Sequence, residues 1–307
     1  MNASIPSDTP STGKKHLQPE AQAAAETVLY GVTGWPLAQS LSPLLHNTGF
    51  KTLGLPALYL RWEIEPMRLP AFVDSVRTLR IGGCSVTIPH KIALLPLLDK
   101  VSPLARQVGA VNTIYWQGDQ LCGENTDVAG FMAPLAQEDL RGANVLLLGA
   151  GGAARAAAAG LTHLAQDRRA GAVFICTPSD SSHLPLAEEF GLTPVPWAQR
   201  HEISARLVVN TTPLGMRGKA EDETPYFFDR ADTIIGKNAV QTTSLAYDIV
   251  YNPLKTLFLR DAASHGRRCL SGMDMFLGQG DAQFRLWTGQ GLPLESRRAL
   301  EATLASG

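Results

Sequence analysis

The sequence predicts an α/β protein of two domains, and three observations carry that prediction. Its 307 residues exceed what one compact core usually spans. From Val28 onward, apolar runs, turn signals and helical patterns alternate, the order expected of parallel strands joined by helices. Between Asp127 and Asn144 the texture changes and an almost uniformly apolar run follows, which puts a domain boundary near Val128.

Residues 1–27 are rich in Ser, Thr, Pro, Gln and Ala and nearly free of large apolar side chains, so a flexible extension is expected there. The extension lacks the apolar core of a secretory signal, and Asp8, Glu20 and Glu26 are unlike a transit peptide. Strands are then expected at 28–32, 58–62 and 83–88. The first two are followed by LSPLLHNTGFKTLG and PMRLPAFVDSVRTLR, whose apolar residues recur near helical spacing. The third lies in GCSVTIPHK. Val, Thr and Ile are stiff at χ1 and suit a pleated surface, whereas Pro89 lacks a backbone donor and should end the strand, delivering His90 and Lys91 just beyond it. VAGFMAPLAQEDLRGA, residues 128–143, reads as a helix leading to a turn. Further strands are expected at 144–149, 172–176, 206–210 and 245–250, and a final helix near Met273 to Trp287, in a helical segment 273–300.

Composition removes several function classes. The 27 Lys and Arg nearly cancel the 28 Asp and Glu, and no basic tract advertises nucleic acid or an anionic membrane. No segment reaches about 18 consecutive apolar residues, so no membrane span is expected. Cys84, Cys122, Cys176 and Cys269 form no C-x-x-C, and the seven histidines include no H-x-x-x-H pair. Buried, reduced thiols, a cytoplasmic location and no metal are the expectation.

The apolar run NVLLLG leads into GAGGAARAAAAGLTHLA, which sets Gly149, Gly151 and Ala154 in the order G-x-G-x-x-A. The first glycine permits a tight turn, the second lets backbone approach a pyrophosphate, and the small third residue lets helix and strand pack closely. A strand before, an alanine-rich helix after and the strand AVFICT beyond complete one βαβ unit, so a Rossmann-type, doubly wound nucleotide-binding domain is expected. After the second strand, CTPSDSS supplies Asp180 and several hydroxyls but neither arginine nor lysine. An acid there holds the ribose hydroxyls of NAD, and an arginine would accept the 2′-phosphate of NADP, so this loop leans toward NAD. Asp180 as a helix cap is the other open role.

Hydride transfer at a hydroxyl-bearing carbon also moves a proton on oxygen, which requires a general acid or base. Lys91 is one candidate, and Asp127 in GENTDVAGF another. A lysine capping a helix, and Asn125-Thr126-Asp127 as a helix N-cap, stay open beside those roles. An ammonium near a carboxylate keeps both ionised and oriented. Ser40, Ser42, Thr87 and Asn112 add polar groups suited to a small polyhydroxylated acid.

These residues resemble the shikimate dehydrogenases. The matching segments run in the family's order over nearly all residues after about 28, among them YGVTGWPLAQSLSPLLHN, GCSVTIPHK, GAVNT, GENTDVAGF, LLGAGGAAR, VVNTTPLGM, YDIVYNPLKTLFL and SGMDMFLGQGDAQFRLWTG. The resemblance implies reversible conversion of 3-dehydroshikimate to shikimate with NADPH as the usual donor, in a cleft between an N-terminal α/β substrate domain, 28–127, and a dinucleotide domain, 128–272. The last helix would return to the substrate domain. By matching motifs, Lys91 and Asp127 take the catalytic places, and Ser40, Ser42, Thr87, Asn112, Tyr251 and Gln279 the substrate. Gly149, Ala150, Gly151, Gly152 and Ala153, with Met216 and Gly272, would hold the cofactor. Gly278 and Gly280 would give the Gln279 amide close access to the ligand.

Two departures stand out. Family members commonly carry Asn-Arg-Thr where this chain has Cys176, Thr177 and Pro178, which leaves NADP and NAD both open. The usual asparagine of Asn-Val-Thr is Ser85. A quinate or dual quinate/shikimate dehydrogenase is the nearest rival, and a non-catalytic ligand sensor the rival from another class. The expected partner is a small-molecule substrate rather than nucleic acid or membrane, in a monomer or homodimer.

Overall fold

The computed structural model describes residues 27–37, 40–162, 170–235 and 245–305. Apart from Thr27, the expected N-terminal extension lies outside the described residues.

A first sheet is built from β1 (Val28–Gly34), β2 (Ala57–Glu63), β3 (Gly83–Val86), β4 (Lys100–Val101), β5 (Thr113–Gln117) and β6 (Gln120–Glu124), in the spatial order β2-β1-β3-β5-β6-β4. β1 runs parallel to β2 and β3, but β5 is antiparallel to both β3 and β6. The expected parallel pattern therefore holds for one half of this sheet. The other half contains a hairpin closed by Gly118 and Asp119, and Gly118 takes the φ of +62° that glycine adopts at little cost. The helices are α1 (Ser42–Thr52), α2 (Leu69–Thr78), the short turns α3 (His90–Ala93) and α4 (Pro103–Val108), and α5 (Thr126–Met132). Prolines 43 and 70 sit in the first turns of α1 and α2, where a missing N–H costs nothing.

The third strand stops at Val86, two residues before the expected end. His90 N–H donates to the Thr87 carbonyl at 3.0 Å, so the turn that carries Lys91 begins at Thr87, ahead of Pro89. The helix and turn expected within 128–143 are present: α5 passes into a 3-10 turn at Ala133–Leu135, where Pro134 lacks the N–H to continue it.

The second sheet comprises β7 (Val145–Leu148), β8 (Val173–Cys176), β9 (Thr193–Pro194), β10 (Leu207–Asn210), β11 (Leu245–Asp248) and β12 (Arg268–Leu270). Its order is β12-β11-β10-β7-β8-β9, all parallel, which is the 3-2-1-4-5-6 order of the doubly wound dinucleotide fold. The expected Rossmann-type domain is borne out. Its helices are α6 (Gly152–Thr162), α7 (Leu184–Phe190), α8 (Phe228–Ile235) and α9 (Leu257–Ser264). β7 is apolar throughout because helices cover both faces: Val145 and Leu147 pack with Phe131, Ala154 and Tyr247, and Leu146 and Leu148 with Tyr226, Phe228 and Phe258. Cys84, Cys122 and Cys176 are buried as expected, but Cys269 is exposed because β12 is an edge strand.

The helix expected near Met273 to Trp287 is α10 (Gly272–Thr288), and the rest of the helical segment counted to residue 300 belongs to a separate helix, α11 (Leu294–Ala305). Gly289 ends α10 in the left-handed conformation at φ +73°, and Pro293 precedes α11. α10 crosses α5 closely: an added Cβ on Gly278 would stand 3.1 Å from the Gly130 Cα. Gly280 faces the Leu45 side chain on α1. The two glycines expected to open a path to Gln279 thus serve helix packing instead.

Among the described residues, no helix is long and apolar enough to cross a membrane, and no group of three or more His, Cys, Asp or Glu could hold a metal ion.

Candidate active site

A cleft of about 410 Å³ lies where the carboxyl ends of β1 and β3 meet the loops after β10 and β11 and the start of α10. Open α/β sheets bind ligands outside the carboxyl ends of their strands. Ser40, Ser42, Thr87, Lys91, Asn112, Asp127, Tyr251 and Gln279 all line it, together with Met216 and Gly272. Val32, Leu37, Met275 and Phe276 supply apolar wall, and Tyr251 stacks on Phe276 with ring centroids 4.8 Å apart.

Lys91 Nζ donates to Asp127 Oδ2 at 2.5 Å, with the two side chains 20% and 12% exposed, so the pair is shielded yet open to the cleft. Each partner is fixed from behind. The Lys91 carbonyl accepts the Val111 N–H at 2.8 Å, and the His90 ring bonds the Ile64 carbonyl at 2.7 Å, which anchors the turn that bears Lys91. Asp127 stands in the first turn of α5, whose N-cap is Asn125: its side chain accepts from Asp127 N–H at 3.1 Å and Val128 N–H at 3.4 Å. The capping role that the sequence left open belongs to Asn125, and capping in turn aims Asp127. Asn112 Nδ2 donates to Asp127 Oδ1 at 2.8 Å, while its Oδ1 accepts the Thr126 N–H at 2.7 Å. Both carboxylate oxygens are engaged, so the geometry joins an ammonium with spare donors to a carboxylate held rigid by an amide.

The Gly149–Ala153 turn does not line the cleft proper but adjoins it: an added Cβ on Gly152 would have Lys91 Cδ at 4.0 Å as its nearest neighbour. Gly149 has φ +117°, and a Cβ there would meet Thr211 Oγ1 at 2.6 Å and backbone of Thr211 at 3.0 Å. A Cβ on Gly151 would meet nothing within 4 Å. A tight glycine turn with an open face, followed by the N-terminus of α6, suits the phosphates of a dinucleotide. After β8, Asp180 Oδ1 accepts the Trp197 N–H at 2.5 Å, so this carboxylate caps the 3-10 turn Trp197–Glu202. Thr177 Oγ1 is paired with His183 Nδ1 at 2.9 Å.

Behind the second wall lies a buried knot. Asp248 Oδ1 accepts from Asn210 Nδ2 at 2.9 Å and Val250 N–H at 3.0 Å, and Oδ2 from Thr256 Oγ1 at 2.5 Å. It ties the loop carrying Met216 to the loop carrying Tyr251. Burial outweighs these three donors and raises the Asp248 carboxyl to about 7. With its folded pKa above the unfolded value, the folded state binds more protons, so the contribution of Asp248 to stability is full below about pH 4 and declines as pH rises from about 4 to about 7. Asp248→Asn is expected to remove that slope. Urea midpoints at pH 5 and pH 8 test this; equal slopes in both proteins would contradict it.

Sequence reasoning missed Gln283, which lines the cleft one helical turn beyond Gln279, and treated Ser85 only as a departure. The i, i+4 spacing on one helix face was the available signal for Gln283. Gln279 itself lines the cleft while its Nε2 donates to the Phe276 carbonyl at 3.0 Å.

A family model described as the shikimate dehydrogenase substrate binding domain matches residues 32–114. The chain is 49% identical over 274 residues to a shikimate dehydrogenase (NADP(+)) of Pelobacter propionicus, covering 89% of this chain and 95% of that one. The crystal structure of shikimate 5-dehydrogenase from Thermus thermophilus in complex with NADP(H) and shikimate is 35% identical, with TM-score 0.77 and coverage of 90% and 100%. Shikimate 5-dehydrogenase from Listeria monocytogenes in complex with shikimate and NAD is 28% identical, with TM-score 0.76 and coverage of 90% and 96%.

Proposed function

The chain belongs to the shikimate dehydrogenase family, and from that premise we propose that it interconverts 3-dehydroshikimate and shikimate, a bound nicotinamide dinucleotide giving or taking the hydride. The observation that carries the residue assignment is the 2.5 Å contact between Lys91 and Asp127 in the wall of the cleft. Lys91 delivers a proton to the ketone oxygen in reduction and takes it back from the hydroxyl in oxidation. Asp127 keeps the lysine charged and aimed, and Asn112 fixes Asp127. Ser40, Ser42, Thr87, Tyr251 and Gln279 orient the substrate, and the Gly149–Ala153 turn with Met216 and Gly272 holds the cofactor. The pairing of Lys91 with Asp127 favours an enzyme over a ligand sensor.

The loop after β8 supports a weakened preference for NADP. It offers no guanidinium to a 2′-phosphate, and one oxygen of Asp180 is held by the Trp197 N–H. A charge-assisted hydrogen bond is worth about 1.5–3 kcal/mol, so its absence narrows the advantage of NADP by about 10- to 100-fold. Initial rates with NADP+ and NAD+, against shikimate and quinate, test the reading. Both dinucleotides are expected to serve shikimate, with Thr177→Arg, at the place of the family's arginine, raising the NADP+ to NAD+ ratio of kcat/KM. Turnover of quinate but not shikimate would overturn the substrate assignment. A large NADP+ advantage in the unaltered protein would overturn the loop assignment.

A further inference from the structure

On the reading that shikimate occupies the cleft, we propose that Tyr59, a buried residue outside the cleft lining, is a positioning residue that makes the Ser85 wall accept but not donate hydrogen bonds, so that a ring hydroxyl of the substrate must donate there.

The proton order along this wall is forced by its chemistry. Gln283 Nε2 faces the Asn112 backbone carbonyl at 3.3 Å and Thr113 Oγ1 at 3.0 Å; a carbonyl only accepts, so the amide nitrogen must lie on that side. Gln283 Oε1 is thereby turned to Ser85 Oγ, 2.7 Å away, and Ser85 must donate to it. That spends the one hydroxyl proton of Ser85. Tyr59 Oη, 2.6 Å from Ser85 Oγ, is then the donor. Ser85 lines the cleft with one lone pair left and no proton to give. At the other end of the site Lys91 has ammonium protons beyond the one on Asp127. The cleft is therefore polar in a definite sense: donors at Lys91 for an oxygen that accepts, an acceptor at Ser85 for a hydroxyl that donates.

Tyr59 is fixed well enough to set this order. Asn47 brackets its backbone, accepting the Tyr59 N–H at 2.8 Å and donating to the Tyr59 carbonyl at 2.9 Å, and the His46 ring stacks on its ring at 4.6 Å between centroids. Without the Tyr59 proton, Ser85 would keep a second buried lone pair unpaired and could turn its hydroxyl into the cleft.

The experiment measures shikimate kinetics and the inhibition constants of shikimate analogues in which each ring hydroxyl is replaced in turn by fluorine, which cannot donate. In the unaltered protein one such replacement is expected to weaken binding about ten-fold, and that penalty should largely vanish in Tyr59→Phe and in Ser85→Ala. Tyr59→Phe should raise KM for shikimate about three- to ten-fold, leave kcat nearly unchanged and leave the dissociation constant of the dinucleotide as it was. The same fluorine penalties in all three proteins, or unaltered KM in Tyr59→Phe, would overturn the inference. Failure of the unaltered protein to turn over shikimate would instead overturn the substrate reading on which it rests. Ser85→Ala removes only a hydroxyl and keeps the test decisive if Tyr59→Phe folds poorly.

Discussion

Lys91→Ala is expected to lower kcat for shikimate oxidation by about 10²- to 10⁴-fold, with KM changed far less. The proton on the reacting oxygen would have no positioned group to receive it, whereas the Ser40, Ser42 and Thr87 side of the cleft stays intact. Asp127→Asn is expected to fall in the same direction: the amide cannot hold the ammonium by charge, and one of its positions would present N–H groups to Lys91 or to Asn112, both of which donate there now. Steady-state kinetics with shikimate in excess check both variants. Near-normal kcat in either would remove that residue from the acid–base role.

The second large effect belongs to Gly272→Ala. Gly272 opens α10 at the edge of the cleft, and its Cα lies against the loop that leaves β11. An added methyl would meet the Ile249 carbonyl oxygen and stand 2.5 Å from the Ile249 carbonyl carbon and 2.6 Å from that of Val250. These are backbone atoms, and the adjoining Val250 N–H is held by Asp248, so the loop can yield only by loosening the Asp248 knot. Overpacking of this kind costs about 3 kcal/mol, the upper end of its usual range, and here it also displaces Ile249 and Tyr251 from the cleft wall. Urea unfolding is expected to show that loss together with a collapse of kcat/KM. A variant with unaltered midpoint and activity would contradict the close approach.

Much of this was legible in residue order because it depends on local chemistry. The apolar run 145–148 reads as a strand covered on both faces, and it is the central β7; Gly149 after it takes the positive φ that the tight turn requires. Lys91 and Asp127 are recognisable by motif, although their meeting depends on β3, β5 and β6 pairing side by side, which spacing alone does not give. What escaped is mostly short or distant. β4 and β9 have two residues each, too few for any alternation to register. The β5–β6 hairpin turns on Gly118 and Asp119 alone, and its antiparallel pairing is not given by the order of apolar runs. Gly278 and Gly280 read as opening ligand access because the helices they pack against, α5 and α1, lie far away in sequence. Tyr59, Ser85 and Gln283 meet across separations of 26 and 198 residues, and no local pattern in the sequence reports that meeting.

The central claim is that the Lys91 amine and the Asp127 carboxylate act on one substrate oxygen as a unit. A double-mutant cycle on kcat measures that most directly, comparing Lys91→Ala, Asp127→Asn and the two together at saturating shikimate. Groups that work jointly give strongly non-additive losses, so the double variant is predicted to be little slower than Lys91→Ala alone. Losses that multiply, as for independent sites, would contradict the claim.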